Sequence, residues 1–229
     1  MSRRSTCVVQ ARTGSSRLPG KVLAPIAGIP MLELMLHRLQ SLAVDSLVVA
    51  TTAYPRDEPV VDIAERCGVP VVRGPENDVL ARFVLALEMH PASTVVRLTA
   101  DCPVTDPRLV EAVIARHHER DAAYTANVLP RTFPRGLDVE VVHADALRAA
   151  HEEAVDPAER EHVTPFVYRR PERFELANLR SGLRLGDERW TVDTADDLEW
   201  VRSAFEAVGD IDASWQHVLA AVRCRPAWG

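Results

Sequence analysis

The sequence predicts an α/β protein, a single domain with a mostly parallel sheet flanked by helices. Three observations carry that prediction. Short apolar runs alternate with amphipathic stretches about four times over the first 120 residues, the pattern of strands joined by crossover helices. The 229 residues are 47% apolar and 26% charged, ordinary globular usage that argues against disorder or a fibrous repeat. No repeat, low-complexity tract or linker divides the chain. It is therefore read as one domain over 1–229, with a first half at 1–120, a second region at 121–188 and a closing region at 189–229.

The first strand is expected over 6–11, followed by a polar, Gly- and Ser-rich segment that runs through Lys21. Pro30 opens the helix PMLELMLHRLQSL, where Leu32, Met35, Leu36 and Leu39 recur on one face. SLVVATT, starting at Ser46, is a second strand, and residues 57–67 form a helix that stops at Gly68. PVVRG is a short strand, 78–89 a helix and TVVRLTA, at 94–100, a fourth strand. From about residue 121 the pattern changes: AAYTAN, GLDVEVV, HVTPFVY and FELANL predict strands, with ADALRAAHEEA the one clear helix among them. RWTVD then reads as a strand and TADDLEWVRSAFEAV as a helix, with Thr194 as N-cap and Asp196 and Asp197 in its first turn.

Composition narrows the function classes. Lys and Arg number 27 against 33 Asp and Glu, a net charge of −6, which disfavours a protein whose main task is coating nucleic acid. The cysteines, at 7, 67, 102 and 224, have no C-x-x-C pair and no ligand-like spacing to histidine. Reduced thiols in a cytoplasm are the expectation, without a zinc site or disulfide framework. The opening MSRRSTCVVQAR carries two arginines before an apolar run, but Gln10 and Arg12 end that run too soon for an export signal. No stretch approaches the roughly 18 consecutive apolar residues of a membrane helix.

In parallel sheets ligands bind beyond the carboxyl ends of the strands. That rule singles out the loops after Ala11, Thr99 and Val192. The first, in QARTGSSRLPGKVL, combines Arg12, Arg17 and Lys21 with Gly14, Ser15, Ser16 and Gly20. Glycines let the backbone approach a phosphate, and hydroxyls, amides and cations supply donors. It is not a P-loop: five residues separate Gly14 from Gly20, Pro19 lacks an amide, and Val22 stands where a metal-binding hydroxyl belongs. No G-x-G-x-x-G fingerprint follows the first strand either. Asp101 follows the fourth strand in TADCP, and Asp193 follows RWTV in VDTADDL. Both belong at the same edge as the basic loop. Mg²⁺ takes one or two carboxylates and completes its octahedron with phosphate and water, so these two acids suffice for a metal-bound polyphosphate. A triphosphate carries about −4, which one Mg²⁺ and three cationic side chains more than offset.

QARTGSSRLPGKVL, VVRGPENDVLARF, VRLTADCPVTDP, GLDVEV, EREHVTPFVY and TVDTADDL, in that order, resemble the cytidylyltransferases of the spore-coat polysaccharide type, relatives of the acylneuraminate and 3-deoxy-manno-octulosonate cytidylyltransferases. The resemblance runs from Val8 to about Val201. It implies a nucleotide-diphospho-sugar transferase fold of Rossmann-like type, Mg²⁺ dependence, a homodimer, and transfer of CMP from CTP to an acidic acceptor with release of pyrophosphate. Carried over by position, Arg12, Ser15, Arg17 and Lys21 hold the triphosphate, the backbone near Ala11 faces the base, and Arg73 contacts the nucleotide. Asp101 and Asp193 match the metal-binding aspartates, and Arg12 and Lys21 stabilise the leaving group. Asn127, Asp138, Glu140 and His162 are the candidates for binding the acceptor. The octulosonate enzymes carry G-T-[DE]-R in the third helical region, where this chain has Asn77-Asp78-Val79-Leu80-Ala81-Arg82. That departure leaves the acceptor open among acidic sugars, phosphates and phosphonates.

His117 and His118 read as a solvated helix terminus. Trp190, Trp200, Trp215 and Trp228 read as core or tail residues, and Cys102 has no base beside it that would make it a nucleophile. Two other functions compete with CMP transfer: a glycosyltransferase of the related fold, which leaves the basic loop without a γ-phosphate to bind, and a non-catalytic nucleotide-binding protein.

Overall fold

The computed structural model describes residues 4–224, so Trp228 and the first three residues of the amino-terminal arginine-containing stretch lie outside the described residues. Strand β1 (Ser5–Gln10) is followed by the basic loop, a hairpin of β2 (Pro25–Ile26) and β3 (Ile29–Pro30), and helix α1 (Met31–Leu39). Then β4 (Ser46–Thr52), α2 (Glu58–Arg66), β5 (Val71–Gly74), α3 (Val79–Met89), β6 (Thr94–Thr99) and α4 (Pro107–Arg120) alternate as the periodicity predicts. The second region holds β7 (Tyr124–Ala126), β8 (Glu140–His143), α5 (Ala144–Glu153), α6 (Pro157–His162), α7 (Pro165–Tyr168) and β9 (Leu176–Asn178); α8 (Ala195–Val208) and α9 (Trp215–Arg223) close the chain.

Local chemistry fixes several boundaries. Asp78 caps α3 by accepting the Ala81 amide, and Asp106 caps α4 by accepting the Arg108 amide ahead of Pro107. Thr194 and Asp197 form a reciprocal capping box at the start of α8. Leu32, Met35, Leu36 and Leu39 are all buried, as the α1 pattern demands.

Seven strands form one sheet in the order β5-β4-β1-β6-β8-β7-β9. β1 pairs in parallel with β4 and β6, β4 with β5, and β7 with β9, while β8 runs antiparallel to both of its neighbours. From β1 the chain builds outward through β4 to β5, then returns to place β6 on the other side of β1. The reversal opens a crevice at the carboxyl ends of β1 and β6, where α/β sheets take their ligands. One apolar layer packs α1, α2, α4, α8 and α9 against the sheet, and the other packs α3, α5 and α7. At about 25 cal/mol per Å² of apolar surface, burial on both faces is the main source of stability.

The structure corrects four expectations. HVTPFVY is helical: the segment leaves α6 at His162, turns at Val163 (φ +72°) and enters α7 at Pro165, burying Phe166 and Val167 in the second layer. RWTVD is not a strand. It crosses the strand ends, held by Trp190 N–H on Arg135 O at 2.6 Å and Val192 N–H on Asp101 O at 2.8 Å, with one isolated bridge between Arg135 and Arg189. GLDVEVV yields a strand only from Glu140. His117 is buried against the sheet with its Nδ1 3.2 Å from Thr125 Oγ1, so it does not belong to a solvated terminus. Trp190 and Trp215 are buried as expected, and Trp190 stacks on Trp200. Among the described residues no helix is long and apolar enough to cross a membrane.

Candidate active site

The basic loop is held from beneath. The Thr13 amide and hydroxyl both donate to Asp57 Oδ1 at 2.7 Å, the Thr52 hydroxyl donates to the other oxygen, and Asp57 itself is buried. Burial pushes the Asp57 carboxyl up, but the bonds from Thr13 and Thr52 and the charge of Arg56 outweigh it and hold the pKa below the ordinary carboxylate range. Gly20 N–H closes the loop on Thr13 O at 2.9 Å. A fixed acid thus sets the shape of a loop whose exposed face is cationic.

Lys21, at the end of that loop, projects under the strand ends. Its Nζ donates to Asp101 Oδ2 at 2.9 Å, Asp193 Oδ1 at 3.0 Å and Val192 O at 2.7 Å. Residues 80 and 172 positions away in sequence therefore converge on one nitrogen. Burial opposes the ammonium, and the two carboxylates more than compensate, raising the Lys21 pKa. Asp193 is also gripped by Arg17 at 2.9 Å and by Arg189 at 2.6 Å. Burial again works against its charge, and these cations, Lys21 first, bring its pKa below the usual value. Arg189 is in turn shared with Asp197 of the α8 capping box, which ties the acid to a helix start.

A cleft of about 290 Å³ opens over this cluster, lined by Ala11, Arg12, Ser15, Arg17, Lys21, Asp101 and Asp193 of the sequence-predicted residues. Gln10 and Thr99, the last residues of β1 and β6, also line it; applying the strand-end rule to the strands themselves would have found them. Nothing in the sequence points to Asp57 as the anchor of the loop. Arg12 reaches across the cleft mouth to Glu76 at 3.7 Å and Glu161 at 3.9 Å. The donor set suits a divalent ion. Two carboxylates already share one cation, and among the described residues no third metal-type side chain joins them, which leaves the remaining positions to phosphate oxygens and water.

Arg73 is not brought to the cleft. On edge strand β5 its neighbour Val72 faces the layer that holds α3, so Arg73 points the opposite way and pairs with Glu58 of α2. Three of the four acceptor candidates are engaged within the protein. Asn127 Nδ2 donates to Leu137 O and its Oδ1 accepts the Val139 amide, clamping the chain that enters β8. Asp138 is paired with Arg131 through both carboxylate oxygens. Glu140, 8% exposed, accepts from Tyr124, Thr164 and Arg97, and Arg97 Nε donates to Gln10 at the cleft floor. His162 is exposed at the end of α6, beside Glu161. Cys102 is buried, and burial pushes its thiol well up, which suits no nucleophile.

The sequence profile described as Cytidylyltransferase matches residues 6–197. The chain belongs to the cytidylyltransferase family. It is 33% identical over 218 residues to the spore coat polysaccharide biosynthesis protein SpsF of Bacillus subtilis, covering 90% of each chain. It is 29% identical to the 3-deoxy-manno-octulosonate cytidylyltransferase of Pseudomonas syringae pv. tomato, over 88% of this chain and 98% of that one. A solved cytidylyltransferase from Leptospira borgpetersenii superposes with a TM-score of 0.92 at 28% identity, covering 100% of both chains. The nucleotide-diphospho-sugar type of fold expected from the sequence is thereby borne out, and the protein is an enzyme of this family.

Proposed function

We infer that this cytidylyltransferase moves CMP from CTP to an acidic acceptor, a sugar acid, phosphate or phosphonate, with pyrophosphate as leaving group and Mg²⁺ as its metal. The observation that carries the reading is the grip of Lys21 on Asp101 and Asp193 directly below a cationic loop. That arrangement holds two carboxylates converged on one cation until a substrate rearranges them. Arg12, Ser15, Arg17 and Lys21 bind the triphosphate, and its charge of about −4 exceeds what any one of them neutralises. Asp101 and Asp193 would hold Mg²⁺, which supplies charge neutralisation at the α-phosphate and the departing pyrophosphate.

The chain's own residues then do little covalent work. The acceptor oxygen forms a bond to the α-phosphorus, the bond from that phosphorus to the bridging oxygen of pyrophosphate breaks, and the acceptor proton passes to water or to the acceptor's own anionic group. Lys21 and Arg12 stabilise charge on the leaving pyrophosphate, and the pinned loop fixes the line of attack. The acceptor enters over Gln10 and Thr99, where Arg97 donates to Gln10.

The test is pyrophosphate released from CTP and Mg²⁺ across a panel of sugar acids, phosphates and phosphonates. Release matched one for one by a CMP-conjugate supports the proposal. Cleavage of a nucleotide sugar without pyrophosphate overturns it in favour of glycosyl transfer, and nucleotide binding without turnover of any acceptor overturns it in favour of a binding protein.

A further inference from the structure

Asp193 is the more crowded of the two cleft acids, and its two oxygens are held by different partners. Oδ1 accepts Lys21 at 3.0 Å and Arg17 at 2.9 Å, whereas Oδ2 accepts Arg189 at 2.6 Å. Lys21 and Arg17 line the cleft, and Arg189 stands outside its lining. A triphosphate that draws off the first two cations therefore frees Oδ1 and leaves Oδ2 held.

Arg189 is an awkward neighbour for a carboxylate that takes a metal. A full positive charge bonded to one oxygen opposes a divalent ion at the other. Asp197 answers that opposition. Its Oδ1 accepts Arg189 Nε at 2.9 Å and its Oδ2 accepts Arg189 Nη2 at 3.1 Å, a two-point grip on the planar guanidinium. The same Oδ2 accepts the backbone amides of Asp193 and Thr194, each at 2.9 Å. One carboxylate, 14% exposed, thus holds both the chain at Asp193 and the cation that bonds to its side chain. A capping box needs the Thr194 amide alone. The grip on Arg189 and on the Asp193 amide goes beyond what starting α8 requires.

We propose that Asp197 and Arg189 form a neutral pair that positions Asp193 for its metal. Arg189 fixes Oδ2, so that Oδ1 alone is offered to the ion, and Asp197 cancels the charge that Arg189 sets against it. Both are positioning residues that act through Asp193. In the free enzyme Asp101 and Asp193 are matched by Lys21 and Arg17, and Asp197 by Arg189. Once the triphosphate takes Lys21 and Arg17, two uncompensated carboxylates face the ion, and the neutral pair keeps that charge intact. Carboxylates that bind metals are themselves hydrogen-bonded, and losing such a partner costs about 10–100-fold in metal affinity or activity. This assignment rests on the metal-dependent reading above and adds the residues that prepare Asp193 for the ion.

The test reads the metal through nucleotide binding, with no acceptor and no turnover. Titrating CTP by calorimetry in EDTA and again in millimolar Mg²⁺ gives a ratio of affinities, which by linkage reports how well the loaded site holds the ion. Asp197→Asn keeps an oxygen for the two amides but leaves the Arg189 charge uncompensated, and is expected to lower the ratio about tenfold. Adding Arg189→Met removes that charge and is expected to recover most of the loss, a coupling that a double-mutant cycle detects. Asp197→Ser, also neutral, carries the same expectation if Asp197→Asn fails to fold. Thr194→Ala breaks the cap from its other side, and is expected to lower the melting temperature while leaving the ratio unchanged. An undiminished ratio in Asp197→Asn, a double variant no better than Asp197→Asn, or an equal loss in Thr194→Ala overturns the assignment alone. A wild type whose CTP affinity ignores Mg²⁺ overturns the metal reading and the assignment together.

Discussion

Lys21→Met removes the ammonium that separates Asp101 from Asp193. Both carboxylates bond to one nitrogen, so their oxygens lie within about 6 Å of each other. At an effective dielectric of about 20 their repulsion is roughly 3 kcal/mol. Arg17 and Arg189 stay on Asp193 and reduce the penalty to about 2 kcal/mol. For a domain of this length each kcal/mol moves the melting temperature by about 2–4 °C, so the variant should melt about 4–8 °C below wild type in EDTA. Millimolar Mg²⁺ without nucleotide should restore most of that loss, since the ion replaces the missing charge between the same two acids. Wild type should gain about 1 °C at most, because its own ammonium competes with the ion. Differential scanning fluorimetry with and without the metal measures all four values. The reasoning is refuted if the variant melts like wild type and ignores the metal, or if wild type gains as much from the ion as the variant does.

Asp101→Asn leaves Lys21 bonded to Asp193 and Val192 O, so steady-state kinetics should show kcat down about 100-fold or more with the melting temperature within a few degrees of wild type. His117 has its pKa lowered from 6.5 to about 4, by burial first and then by His118 and His143, with Asp121 opposing. A depressed histidine means the unfolded chain takes the proton first, so stability is full above about pH 6.5 and declines as pH falls toward 4, by about 3 kcal/mol at the lower end. Urea unfolding at pH 7 and pH 5 should show that decline, and His117→Gln should flatten it. Gly136 has φ +108°, and a Cβ there would stand 2.5 Å from Thr191 N and from Trp190 C. Gly136→Ala should therefore lower stability by more than about 3 kcal/mol in the same assay, and should displace Asp193 with the segment it strikes.

How far the sequence could be read depends on the kind of signal each segment carries. The first 120 residues were legible because strands and helices alternate with different periods, and both periods are imposed by burial. Asp101, Asp193 and the basic loop could be placed at one edge because topology alone decides which strand ends face the crevice. HVTPFVY misled because its β-branched and aromatic residues suit a strand equally well; the turn at Val163 and the packing of Phe166 against the sheet are tertiary facts. Arg73 was misplaced although alternation along β5 would have turned it away from α3. Asn127, Asp138 and Glu140 look like ligands in sequence because a polar residue spent on its own protein is spelled the same way as one awaiting a substrate.

The side chains that line the cleft come from the start of the chain, the end of β6 and the segment before α8, and none comes from 121–188. A graft of 121–188 from a relative, provided that it keeps the Arg135 and Gly136 seat for Trp190, would leave every side chain that lines the cleft as it stands.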